Sequence, residues 1–170
     1  MESLKIRRAN LADLTDILKI YDRARRFMAE TGNPTQWGNG YPQRELLEED
    51  IAHEKLFVVT AGEIIRGVFL FVIGPDPTYS RIENGSWHAD RLYGTIHRIA
   101  SDGTGGVFAA ALEFCRQQID YLRIDTHENN RVMQHVVTKW GFRRCGIIFT
   151  DDGTPRIAYD RMEDCHGKNQ

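Results

Sequence analysis

The chain has 170 residues, 41% of them hydrophobic, and a formal charge of −2 at pH 7, which is the length of one domain with enough apolar side chains to bury a core. That balance excludes the strongly basic face that a nucleic-acid partner requires. The three cysteines form no CxxC pair, which excludes a disulfide framework and a thiolate zinc cluster, and no window approaches the roughly eighteen apolar residues of a membrane span.

Leu4, Ile6 and Arg8 alternate as a short strand, and Asn10 with Asp13 forms a helix-capping pair. Leu14, Ile17, Leu18, Tyr21, Ala24 and Met28 follow at three- and four-residue spacing, so an amphipathic helix runs to Thr31-Gly32. Asn33 to Pro42 is broken by prolines and glycines into a loop. Trp37 in that loop is either a staple to the core or a wall of a substrate pocket. A second helix is expected from Gln43 to His53, with Leu46, Leu47 and Ile51 inward.

Leu56 to Thr60 and Glu63 to Ile73 read as a hairpin around Ala61-Gly62, with a bulge at Arg66-Gly67. Gly74 to Arg91 shows no periodicity and is a candidate lid, against a disordered surface insertion, bringing Tyr79 and Trp87 as substrate-side aromatics. Tyr93 to Ile99 is a strand, Ser101 to Gly106 a glycine turn, and Val107 to Cys115 an apolar helix. Such a junction presents unpaired N–H groups and the positive end of a helix dipole, so it suits a diphosphate.

Tyr121 to His127 reads as a strand, and Asn129-Asn130 caps a helix whose apolar face is Val132, Met133, Val136, Val137 and Trp140, ending at Gly141. Arg144 to Thr150 and Arg156 to Arg161 close the chain as a hairpin around Asp152-Gly153. The expected organisation is one domain over 1–162 and a polar tail over 163–170. The fold class is α/β, with a central mixed sheet and a right-handed parallel crossover in the 93–127 unit.

Two motifs carry a family resemblance. One is Ser101-Asp102-Gly103-Thr104-Gly105-Gly106 after Ile99-Ala100; the other is Asn130, Met133, Val136 and Gly141-Phe142 after the next strand. In this order they resemble the GNAT superfamily of acyl-CoA-dependent N-acetyltransferases, here a small single-domain member of bacterial type. The resemblance implies a mostly antiparallel sheet of about seven strands with splayed parallel fourth and fifth strands, flanked by about four helices. It also implies acetyl-CoA as co-substrate. Its pyrophosphate would lie on the N–H groups from Gly103 through Thr104, Gly105 and Gly106 to Val107, and its pantetheine along Ile99, Ala100 and Ser101. Asn130 and Met133 would stand toward the thioester end. Two departures stand out: the family's arginine or glutamine at the start of the loop is replaced by Ala100 and Asp102, and its helix tyrosine by Val137.

Acyl transfer to an amine needs a base for the amine and a proton for the leaving thiolate. His97 is the first choice of base, against a core histidine bonded across the sheet. His127 is second, against a turn-stabilising role. Tyr159 and Tyr93 are the tyrosines by type for the missing acid. Cys115 lies on an apolar helix face and is excluded as a nucleophile.

The reading is direct acetyl transfer to a primary amine, on a small molecule or a peptide N-terminus. The alternative is a non-catalytic acyl-CoA-binding or regulatory module on the same fold. The expected setting is cytoplasmic, with no membrane or nucleic-acid partner and no metal, and a homodimer is left open.

Overall fold

The computed structural model describes residues 3–163. In chain order the elements are β1 (Leu4–Arg8), α1 (Leu14–Glu30), α2 (Arg44–Ala52), β2 (Leu56–Ala61), β3 (Ile64–Ile73), β4 (Gly94–Ser101), α3 (Val107–Arg116), β5 (Tyr121–Thr126), α4 (Arg131–Lys139), β6 (Arg143–Phe149) and β7 (Pro155–Met162). The strands form a seven-stranded sheet in the order β1-β2-β3-β4-β5-β7-β6. β4 and β5 are parallel, registered as Gly94 with Leu122 and Thr95 with Arg123, while β1-β2, β2-β3, β5-β7 and β6-β7 are antiparallel. None of the described helices is long and apolar enough to cross a membrane. The chain divides into two compact units, residues 3–72 with 96–115, and residues 73–95 with 116–163.

In the first unit, the expected Asn10–Asp13 cap closes on a 3₁₀ turn over Leu11–Asp13, which runs directly into α1. Asn10 Oδ1 accepts from the Ala12 N–H at 3.0 Å and Asp13 accepts from the Asn10 N–H at 2.8 Å, the reciprocal capping box. Arg7 clamps the same carboxylate with two bonds of 2.7 and 2.8 Å. Leu14, Ile17, Ile20 and Tyr21 are the buried face of α1, and they pack with Leu47, Leu56, Val58, Val68 and Ala100. Each such burial stabilises by about 1.5–3 kcal/mol. Phe114 of α3 meets Phe57, Phe69 and Phe71 at ring distances of 5.0, 6.1 and 6.5 Å, which seats that helix on the hairpin.

In the second unit, the core is Tyr79, Tyr93, Tyr121, Cys145, Ile148 and Ala158. The 74–91 segment is part of this core, which corrects its reading as a lid. Tyr79 is 2% exposed, its hydroxyl donates to Asp125 at 2.6 Å, and Trp87 Nε1 donates to the Tyr79 carbonyl at 3.0 Å. Aperiodic sequence here reflects side chains packed from a 3₁₀ turn and a bridge, not from a regular element. A second difference concerns α4: Val137 is its fully buried residue, while Val132 and Trp140 are 44% and 39% exposed. Of the expected tail, Glu163 is paired with Arg116 and Arg161, and 164–170 lie outside the described residues.

Candidate functional site

The glycine loop leaves the end of β4 and is folded by its own polar side chains. Ser101 Oγ accepts from the Gly103 N–H at 3.2 Å and Asp102 Oδ1 accepts from the Thr104 N–H at 2.9 Å. Gly103 and Gly106 have φ of +94° and +90°, conformations that favour glycine. The Ala110 N–H donates to the Gly106 carbonyl at 3.0 Å, which begins α3. The amides of Gly105, Gly106 and Val107 therefore precede the first intrahelical bond, in the dipole's positive end. A Cβ added at Gly105 would meet open space within 4 Å.

Two cations from elsewhere in this unit stand at the loop, and the sequence does not reveal either. The β2–β3 register passes from Val59 opposite Gly67 to Thr60 opposite Ile65, so Arg66 is the extra residue of the expected bulge. The bulge aims Arg66 at Asp102 Oδ2, 3.0 Å away. Burial works against the Asp102 charge, but Thr104 and Arg66 hold its carboxyl below the usual range. Arg23 of α1 lies against Gly103, where a Cβ would come within 2.7 Å of its Nη2. The acid of the loop is thus paired from β3, and a second guanidinium stands beside the loop from α1.

β4 itself is irregular at Arg98, whose φ is +50°. The Tyr21 hydroxyl donates to the Arg98 carbonyl at 2.8 Å, and the Arg98 guanidinium pairs with Asp50 and donates to the Tyr41 hydroxyl at 3.4 Å. On either side His97 and Ile99 are half-buried, and Ala100 is buried. Trp37 is half-buried, edge-on to Tyr21 at 5.6 Å. The first unit therefore gathers His97, Ile99, Ala100, Ser101 and the glycines on one strand and turn, with Trp37 beside the tyrosine that holds the strand.

In the second unit, Asn130 Oδ1 accepts from the Met133 N–H at 3.1 Å and caps α4, and Met133 is half-buried. His127 Nδ1 accepts from the Asn129 N–H at 3.0 Å, which fixes the neutral ring with its proton on Nε2. Burial, then Arg156, lowers its pKa. Tyr159 is buried on β7, opposite Ile124 of β5, and burial raises its hydroxyl pKa. Tyr79 and Trp87 pack with ring centroids 5.0 Å apart and planes tilted by 49°. Arg123 was not singled out in the sequence; it lies 3.9 Å over Tyr93 and 4.1 Å over Trp87, and a lone arginine in a strand gives no signal of such a setting.

No protein-family model matches the chain, and no curated protein matches it in sequence. Solved structures do. A GNAT-family acetyltransferase from Streptococcus agalactiae is 29% identical, with a TM-score of 0.86 over 95% of this chain and 96% of that one. A GNAT-family acetyltransferase from Listeria monocytogenes is 18% identical, with a TM-score of 0.68 over 94% and 95%. A Salmonella typhimurium protein solved with its cofactor acetyl-CoA is 13% identical, with a TM-score of 0.61 over 98% of both chains. With the parallel β4–β5 pair and the glycine loop at the start of α3, a likeness of this extent shows that the chain has the fold of the GNAT acetyltransferases.

Proposed function

We propose that the chain transfers an acetyl group from acetyl-CoA directly to a primary amine, on a small molecule or at a peptide N-terminus. The observation that carries this is the loop from Ser101 to Gly106, whose last amides open α3 and whose first residues have Arg66 at Asp102 and Arg23 at Gly103. A diphosphate there would meet N–H donors and the dipole, with Asp102 already neutralised by Arg66 and the Arg23 guanidinium beside Gly103. The Salmonella neighbour with acetyl-CoA supports the same donor.

His97 is the proposed general base. In its neutral form it takes a proton from the attacking ammonium group, and the amine nitrogen then forms its bond to the thioester carbonyl carbon. The carbon–sulfur bond breaks with its electron pair on sulfur, and a proton must reach the thiolate. Tyr159 keeps its proton well above neutral pH, which is the state that a proton donor requires.

The test is free-thiol release from acetyl-CoA across a panel of small amines and short peptides. At least one amine accelerates release above hydrolysis, and His97→Ala lowers that rate by about two to four orders of magnitude. Release that no amine accelerates refutes the acceptor class, and an unchanged pH–rate profile in His97→Ala refutes the base.

A further inference from the structure

Three side chains from separate parts of the second unit bring one donor atom each to a common point. His88 Nδ1 lies 2.6 Å from Asp160 Oδ1 and 3.3 Å from Cys145 Sγ, and the three ligating atoms all lie within 4.8 Å of one another. His88 comes from the 74–91 segment, Cys145 from β6 and Asp160 from β7. We propose that these residues form a binding site for a divalent transition-metal cation of the zinc type, held by Nδ1, Sγ and Oδ1.

The backbone is shaped to make this convergence. The β6–β7 register steps from Arg144 opposite Tyr159 to Gly146 opposite Ala158, so Cys145 is the extra residue of a bulge, a device that re-aims a side chain. The 74–91 segment crosses β6 at that bulge, where Glu83 and Ile147 exchange two backbone hydrogen bonds of 2.8 Å. A Cβ on Gly85 would sit 1.8 Å from the Cys145 carbonyl oxygen, and one on Gly146 would sit 2.5 Å from that of Glu83. Glycine at both positions permits the approach, and the approach delivers His88 to Cys145.

Asp160 is oriented like a metal-bound carboxylate. Its Oδ2 accepts from the His88 N–H and the Tyr121 hydroxyl, each at 2.8 Å, which leaves Oδ1 toward the shared point. Hydrogen bonds of this kind fix the direction of ligating carboxylates. Asp160 is 1% exposed, whereas the His88 side chain is 32% exposed, so a cation and a fourth ligand, water, can enter from the histidine side.

The arrangement is not a nucleophilic triad. In a triad the nucleophile and the carboxylate use opposite nitrogens of the imidazole, and here both face Nδ1. It suits a chelate instead. On binding, the Cys145 thiol gives its proton to solvent as sulfur bonds the metal, and the His88 proton sits on Nε2 so that the Nδ1 lone pair can donate. Thiolate and carboxylate then cancel the two charges of the cation. Arg123 is the nearby cation, donating to the Tyr121 hydroxyl at 3.2 Å, and the faces of Tyr93 and Trp87 cover its charge. A nitrogen, sulfur and oxygen donor set favours zinc or cobalt over magnesium or calcium. The bound cation would staple the 74–91 segment to β6 and β7.

The test is titration of the full chain, free of any affinity tag, with Co²⁺. It uses a Cys165→Ser background, so that Cys115 and Cys145 are the thiols present. One equivalent of Co²⁺ should produce a thiolate-to-cobalt charge-transfer band and release one proton, and Zn²⁺ should abolish the band. His88→Ala, which alters a part-exposed side chain and spares the core, should weaken binding by about 100-fold or more, and Cys145→Ser should remove the band. A folded protein without the band, a band that survives Cys145→Ser, or Co²⁺ affinity unchanged in His88→Ala overturns the proposal.

Discussion

Arg66 donates to Asp102 at 3.0 Å, so the acid of the glycine loop is already paired when a diphosphate would arrive. Arg66→Ala should expose that carboxylate to the phosphates and raise the acetyl-CoA dissociation constant by about tenfold, more at low salt. Arg23→Ala removes an exposed cation and should cost about three- to fivefold. Titration calorimetry of both variants at two ionic strengths checks the order.

Gly67 lies opposite the start of α3, where an added Cβ would come within 2.5 Å of Val107 Cγ1 and 3.1 Å of the Ala100 carbonyl oxygen. Gly67→Ala should therefore destabilise the chain by about 1–3 kcal/mol through overpacking. Denaturant unfolding measures it, and a change inside experimental error would show that the seat of α3 is looser than described.

Tyr21 is fully buried and its hydroxyl holds the Arg98 carbonyl. Tyr21→Phe keeps the ring packing and leaves that oxygen without its donor, a cost of about 1–3 kcal/mol. Since Arg98 sits where β4 departs from regular geometry, amide exchange along 96–101 should also quicken in the variant.

Much of this was legible in the sequence, and the remainder follows from one limitation. Local rules found the capping box at Asn10 and Asp13, the bulge at Arg66-Gly67, the glycine turn and the Asn130 cap, because each is a pattern within a few residues. They could not find what long-range approach creates. Asp102 looked like a liability because Arg66 is 36 positions away. The 74–91 segment looked like a lid because its order comes from Asp125, Ile147 and Asp160. The approach of His88, Cys145 and Asp160 is equally invisible, because these positions share no local spacing. The apolar stripe of α4 predicted burial for Val132 and Trp140, yet periodicity records only which residues share a face, not whether that face is covered.

Stability should fall in acid for reasons that can be assigned. Arg7 holds the Asp13 carboxyl below its ordinary value, and Asp102 is lowered as well. A carboxyl whose folded pKa lies below its unfolded one, about 3.9, contributes fully above that value. The contribution is lost as pH falls through the lower folded pKa. Unfolding free energy should therefore drop between about pH 5 and about pH 2, and Asp13→Asn should show lower stability at neutral pH with a flatter acid slope.

The central claim is that the loop opening α3 holds the diphosphate of acetyl-CoA, and Gly105 tests it most directly. An aspartate there has room for its side chain and suits the helix start electrostatically, so the protein should fold as before. Its carboxylate would nevertheless stand where the phosphates belong. Near-saturating acetyl-CoA should raise the thermal midpoint of the unaltered chain by about 5–10 °C, and should leave Gly105→Asp nearly unmoved. An equal shift in both proteins, or none in the unaltered chain, would contradict the account.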